Sequence, residues 1–396
     1  MYITPDEFSG NDSERLNRAV ARAAELQIPV RIGKRSTGDG RDWWLLDSAI
    51  LLPSNTTVIL ENCRIKLSDR CRDNFFRSAN CIPGGEFVPQ AENIHISGIG
   101  NVVLEGADDP RSTGDSAKQN MAGTDDYVSS YGSDGLIPGA EPTYGNWRNI
   151  GILLVRVKHF SLCGLTIRNA HCWSVSLEYC TDGTVRDLAF DAAGHIEIHG
   201  RKETIRNQDG LDLRRGCKRI LIENIRGVSG DDVVALTSVA GRIRPAGVPD
   251  STEFCGMQPA GEINDTCYII IRNVQAACVG GHHIVRFLNN GGVKLHHIQL
   301  ENVMDTSPDD FHVKAAVKVG DTHYGGLAAP GDTYGLQISR IMSNAVHAIL
   351  LAGPLTDSEI SDVINFNKDG ETITKCAGGD AAYRNLFITG IADSRP

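Results

Sequence analysis

From Asn149 onward the chain repeats one pattern. Short β-rich runs with apolar residues at alternate positions recur as FSLCGLTI from Phe160, GTVRDLAF from Gly183, RILIENIR from Arg219, YIIIRNVQ from Tyr268, VKLHHIQLENV from Val293, YGLQISRIM from Tyr334, SEISDVINF from Ser358 and YRNLFITGI from Tyr383. The closest neighbours lie roughly 22 to 28 residues apart, within the range of solenoid repeats. Alternation with period two places one face of each run in a core and the other outside. In RILIENIR, Leu221 and Ile225 are the residues expected to point inward. Upstream, IPVRIG, WWLLDSAILLP, TTVILENCRIKL and AENIHISGIGNVVLEG read as further short strands. Helical spacing is confined to Asn11–Gln27, where Leu16, Val20, Ala23 and Leu26 share a side and Asn11 or Ser13 supplies the N-cap. Without helical patterns between the strands, βαβ units and a TIM barrel are excluded, and a β-sandwich would need hairpin signals that the sequence lacks. The expectation is an all-β chain, a right-handed parallel β-helix (solenoid) with an N-terminal capping helix, forming a single domain over 1–396. Residues 107–146 and 239–266 break the repeat as long polar loop insertions, and loops of that length are usually functional.

Two turns within the repeat carry acids. Asn207-Gln208-Asp209-Gly210 and Gly230-Asp231-Asp232 each run straight into a short apolar strand. If successive coils stack at the sheet spacing of about 4.8 Å, Asp209 lands beside Asp231 and Asp232. Glycoside hydrolysis needs one carboxyl to protonate the leaving oxygen and another, ionised, to activate water. Like charges held together push their pKa values apart and provide that division of labour. One Asp-Gly turn alone would only punctuate the chain. Two in register on neighbouring strands, one with a doubled Asp, make a catalytic cluster the better reading.

Composition narrows the partners. The net charge of −10, with no run of Lys or Arg, excludes a nucleic-acid role. Eleven cysteines, an odd number with no CxxC pair, fit buried thiols and neither a disulfide framework nor a zinc site. No cofactor or metal is implied, and no stretch of about 20 apolar residues spans a membrane. The N-terminus lacks the basic and apolar regions of a signal peptide. Cytoplasmic action is therefore the expectation, or a secreted or periplasmic one where a signal has been removed. Oligosaccharide or polysaccharide is the partner expected, with oligomeric state left open.

These residues together resemble the polygalacturonases of glycoside hydrolase family 28, in the pectin-degrading β-helix superfamily. The family's Asn-Thr-Asp-Gly is similar to Asn207-Gln208-Asp209-Gly210, with Gln208 in place of Thr, and its Gly-Asp-Asp is Gly230-Asp231-Asp232. The coil NAHCWSVSLEYCTDGTVRDLAF around Trp173 resembles the family's Trp-containing coil. The resemblance implies an inverting hydrolase with Asp231 as general acid and Asp209 and Asp232 activating water. Asn207 would orient Asp209 or bind sugar, and Asp212 would line the neighbouring subsite. Inversion calls for carboxyls about 6.5–9.5 Å apart.

Elsewhere the sequence departs from the family. Its Gly-His-Gly resembles Gly281-His282-His283, so either histidine can hold the functional place. Its Arg-Ile-Lys clamp for a substrate carboxylate is reduced to Val317-Lys318-Val319, and lysine lacks the bidentate fork of arginine. Arg286, a cation in an apolar strand, is the candidate to supply the missing charge. Arg214 and Arg215 are weaker ones. Among Trp43, Trp44, Trp147 and Trp173, Trp147 is the candidate for sugar stacking and Trp173 for core packing. The two insertions would wall one end of the groove, so an exo-acting enzyme on a pectin-related or other acidic oligosaccharide is expected. The alternatives are a β-helix polysaccharide lyase, whose acids hold calcium, and a non-catalytic carbohydrate-binding solenoid.

Overall fold

The structure is a computed structural model that describes residues 1–36, 39–69, 71, 73–82, 88–108, 147–198, 201–205, 207–239, 254–255, 261–321 and 328–393. Most of both expected insertions, residues 109–146, 240–253 and 256–260, lies outside the described residues. The chain divides into two compact units. One comprises Met1–Thr184, Leu188–Gln208 and Ile243–Cys255, the other Val185–Asp187, Asp209–Arg242 and Gly256–Pro396. Both are built from coils of short parallel strands, and the fold is a right-handed parallel β-helix.

In the first unit the helix Asp12–Leu26 is set by a capping box. The Asn11 side chain accepts from the Glu14 N–H at 2.9 Å, and the Glu14 carboxylate accepts from the Asn11 N–H at 3.1 Å. Leu16, Ala19, Val20 and Ala23 are buried, but Leu26 is exposed, because Gln27 turns left-handed at φ 54 and ends the helix there. Parallel ladders then stack coil on coil, as in Val30–Ile32 on Thr56–Glu61 and Thr56–Glu61 on Ala91–Ile99. One antiparallel pair interrupts them, His195–Ile198 with Arg201–Thr204. That hairpin is absent from the sequence reading, which found no hairpin signal.

In the second unit the core is written as rows of identical chemistry. Leu211, Val234, Val285, Val317 and Ile349 lie in register on successive strands. Ile222, Ile271, Leu300, Ile338 and Ile360 form a second row, and Ile225, Val274, Val303, Ile341 and Val363 a third. Each side chain is buried, and burial of this kind contributes about 1.5–3 kcal/mol apiece. Ile222 and Ile225 are three apart because Asn224 between them is left-handed, at φ 57, and bends the strand. The bend shifts the alternation, so Ile220 and Ile222 point inward and Leu221 is only half-buried, contrary to the simple period-two expectation.

The same bend recurs on each coil. Asn273 and Asn302 are left-handed at φ 58 and 59. Asn224 donates to Asp187 at 2.9 Å, Asn273 to Asn224 at 3.1 Å and Asn302 to Asn273 at 2.8 Å, forming a ladder of amides along the outer edge. Asparagine suits it because its short amide tolerates the left-handed region and pairs with its own kind on the next rung.

All eleven cysteines are free, and nine are buried, with Cys163 half-buried and Cys376 exposed. Burial pushes the Cys63, Cys81 and Cys278 thiols up to about 12, so they are packing groups and not nucleophiles. No helix among the described residues is long and apolar enough to cross a membrane.

The ladder yields a test by chemical denaturation. Asn273→Ala loses two amide bonds and keeps a Cβ in the left-handed region, and is expected to destabilise by about 1–3 kcal/mol. Asn273→Gly, which removes only the amide bonds, is expected to recover about 1 kcal/mol of that loss. Equal stability of the two variants would show that the bend does not constrain this residue.

Candidate active site

The acidic turns belong to neighbouring coils of the second unit. Asp209-Gly210 enters the strand Leu211–Arg214, and Asp231-Asp232 enters Val234–Ser238. The Gly210 N–H donates to the Asp232 carbonyl at 2.9 Å and the Leu211 N–H to the Val233 carbonyl at 2.9 Å, locking the turns in register. One carboxylate oxygen from each of Asp209, Asp231 and Asp232 lies within 4.8 Å of the others. The next coil presses close as well. A Cβ on Gly280 would collide with the Gly230 carbonyl, so glycine is required for the turn that delivers His282 and His283.

Asp232 is the buried centre of the cluster. Its Oδ1 accepts from His283 Nδ1 at 2.7 Å and its Oδ2 from the Arg286 guanidinium at 3.0 Å. Its side chain is 0% exposed, and burial alone would push its pKa up. The charges and hydrogen bonds of His283 and Arg286 override that and hold the carboxyl far below the usual range, so Asp232 stays ionised. Burial lowers His283 from the ordinary imidazole value against the pull of Asp232, and its Nδ1–H donates to that carboxylate, which can only accept.

Asp231 stands nearer solvent, with 15% of its side chain exposed. His282 Nδ1 lies 3.4 Å from its Oδ1, and the His282 side chain is half exposed. Burial followed by the neighbouring cations holds His282 below the ordinary value, despite the opposing pull of Asp232. The histidine pair thus divides: His282 faces Asp231 and His283 faces Asp232. Both positions allowed by the sequence touch a carboxylate.

The remaining sequence candidates are placed differently. Asp212 is wholly buried, and its Oδ2 has no hydrogen-bond partner among the described residues. Burial raises its pKa well above 3.8, against the pull of Arg214 and with the repulsion of Asp232 and Asp231, so of the two buried carboxyls it holds a proton more readily than Asp232. Asn207 is half-buried, left-handed at φ 51 and part of the first unit. Gln208, where the family pattern has Thr, is buried there. Its amide donates to the Ala170 carbonyl at 2.7 Å and accepts from the Gly194 N–H at 3.2 Å, which explains the longer side chain. Trp147, expected to stack on sugar, is 4% exposed and packs edge-on against Phe254 at 4.9 Å in a cluster that also holds Trp173. Arg215 is buried and donates to the Val239 carbonyl.

Arg286 and Lys318 are direct partners on adjacent strands. Lys318 Nζ donates to Asp321 at 2.5 Å, and Arg286 reaches the same carboxylate at 3.4 Å. Asp321 was not among the sequence candidates. The signal for it is Gly320-Asp321 directly after a strand whose only cation is Lys318.

Asp209, Asp231 and Asp232 are also the one group among the described residues spaced to hold a metal ion. Calcium wants six to eight oxygens. Asp232 already gives both oxygens to His283 and Arg286, whose guanidinium supplies the positive charge at that point.

A family model for glycosyl hydrolases family 28 matches residues 144–251. The likeness to that family is confined to this segment. It includes Asp209, Asp231 and Asp232 and ends before His282, Arg286 and Lys318. No curated protein matches the chain. Among solved structures, endo-xylogalacturonan hydrolase from Aspergillus tubingensis is 15% identical, covers 100% of this chain and 93% of its own, and has a TM-score of 0.51. A double mutant of the tailspike protein of E. coli bacteriophage HK620 is 12% identical over 98% of this chain and 65% of its own, with a TM-score of 0.54. Another mutant of that tailspike, in complex with a pentasaccharide, is 13% identical over 99% of this chain and 63% of its own, with a TM-score of 0.51. At these identities the likeness is one of fold.

Removing the guanidinium tests the centre of the site. Arg286→Met leaves Asp232 buried with one partner and is expected to lower stability at neutral pH by about 3–5 kcal/mol. Asp232 has a depressed folded pKa, so its favourable contribution is present above the ordinary value of 3.8 and is lost as pH falls below it. The deficit of Arg286→Met should therefore be largest well above pH 4 and shrink on acidification. A pH-independent deficit would mean that Arg286 acts through packing.

Proposed function

We propose that the protein is an inverting glycoside hydrolase that trims a pectin-related or other acidic oligosaccharide from one end. The observation that carries this reading is the asymmetry of three adjacent carboxylates. Asp232 is buried and permanently ionised, whereas Asp231 is reachable from solvent and faces a half-exposed histidine. A proton donor needs access to the leaving oxygen, so Asp231 takes that role. Asp209 and Asp232 hold the water. The family 28 segment supports the chemistry, and the xylogalacturonan hydrolase and pentasaccharide-bound tailspike support a saccharide as substrate.

The carboxylate spacing was expected to fall in the inverting window of about 6.5–9.5 Å. One oxygen from each carboxylate instead lies within 4.8 Å of the others, so the cluster is tight at its nearest atoms. We assign water attack on other grounds. A covalent nucleophile must reach the anomeric carbon, and Asp232 is closed off and held through both oxygens. Each oxygen keeps a second lone pair, which suffices to orient a water shared with Asp209. End-on action rests on the two polar insertions beside the site in sequence.

Product analysis on an oligosaccharide panel is the test. Asp231→Asn is expected to lose about 10²–10⁴ in kcat, the usual contribution of general acid catalysis, with chelator having no effect. The first-formed anomer, followed by proton NMR, should be inverted, and products should be short and uniform from the earliest time point. A retained anomer would refute water attack. Chelator-sensitive product absorbing in the ultraviolet would reassign the aspartates as calcium ligands of a lyase.

A further inference from the structure

Arg286 and Lys318 face the same side of one sheet, one rung apart, and both are nearly buried, with 11% and 4% of their side chains exposed. Like charges directly opposite on neighbouring strands repel, and burial strengthens the repulsion. Asp321 relieves it. Its Oδ2 accepts from Lys318 at 2.5 Å and lies 3.4 Å from Arg286, whose other nitrogen holds Asp232. The charges therefore alternate through Asp232, Arg286, Asp321 and Lys318. Gly320 makes the geometry possible: its φ of +80 folds the chain back after the strand, and a Cβ there would strike the Gly353 backbone. Asp321 is 3% exposed.

Two cations side by side near a set of saccharide-cleaving acids form a natural receptor for a sugar carboxylate. Here the receptor is already filled. We propose that Asp321 is a specificity-determining residue: its carboxylate occupies the acceptor place between Arg286 and Lys318, so the sugar unit seated over them is uncharged. This rests on the glycosidase reading above and narrows it, since acidic units of the oligosaccharide would then bind elsewhere along the groove. A uronate at this position would bring a further carboxylate against Asp321 and Asp232, and like charges in one small site are strongly disfavoured. Removing the Asp321 charge should reverse the preference by taking away the carboxylate that now accepts from Lys318.

The test titrates D-galacturonate and D-galactose, which differ only at C6, into the protein and follows binding by saturation-transfer NMR. The wild type is expected to bind galacturonate no more tightly than galactose. Asp321→Asn is expected to favour galacturonate by roughly tenfold, the scale of a regained charge-assisted hydrogen bond. Asp321→Ser serves as a second variant, and the wild-type comparison needs none. A wild type that prefers galacturonate overturns the proposal, as does a folded variant that gains no preference. If the wild type cleaves no member of the oligosaccharide panel, the hydrolase reading falls, while the two-sugar comparison still decides the role of Asp321.

Discussion

A carboxylate cannot remain charged inside a protein unless something nearby compensates for the water it has lost, and this constraint governs the second unit around Asp232. Burial by itself would return a proton to the group. Arg286 and His283, both from the next coil, prevent that by taking one oxygen each. Their reach depends on the strand between Asp212 and Arg286 in the register, where the facing residue is Ala235. The consequence extends beyond one ion pair. Burial raises Asp212, and the negative charge of Asp232 adds to that rise.

The parallel coil is what makes such a site inexpensive to assemble. Asp209, Asp232, His283, Arg286 and Lys318 are scattered over more than a hundred residues, yet strand register alone brings them to adjacent rungs. No long loop has to be ordered for the purpose. The rows of Ile and Val beneath them fix the register, since a slip of one residue would turn each buried row outward. Site and core are thus specified by the same alternation. The amide ladder of Asn224, Asn273 and Asn302 holds the bends at which that alternation changes phase.

That shared origin explains what the sequence made legible. Alternation marked the strands, the Asp-Gly and Gly-Asp-Asp turns marked the acids, and both concern residues close together in the chain. What escaped depends on backbone conformation or on partners elsewhere in the chain. Ile222 rather than Leu221 points inward because a left-handed Asn224 shifts the phase, and the sequence shows an Asn without its φ. Trp147 follows a polar stretch and so reads as accessible, but Phe254 packs on it from a distant segment. Gln208 looks like a lapse from a motif until Ala170 and Gly194 supply its partners. The hairpin at His195–Thr204 was missed for a different reason: its turn lacks the Asn-Gly or Asp-Gly pair that announces a two-residue hairpin.

The outward row that passes from Asp212 through Ala235, Arg286 and Lys318 to Leu350 carries the general lesson about charge on such folds. An in-register parallel sheet sets side chains of one row about 4.8 Å apart, so any two charges in succession feel each other strongly. The row must then alternate in sign, insert a neutral residue, or borrow a counter-charge from a turn. The last two devices occur here. Ala235 separates Asp212 from Arg286, and Asp321 arrives from the turn after Lys318. Cations in this row are framework before they are receptors. What they offer a substrate is decided by the turn residue that caps them, and turns are the part of a solenoid freest to vary without disturbing the core.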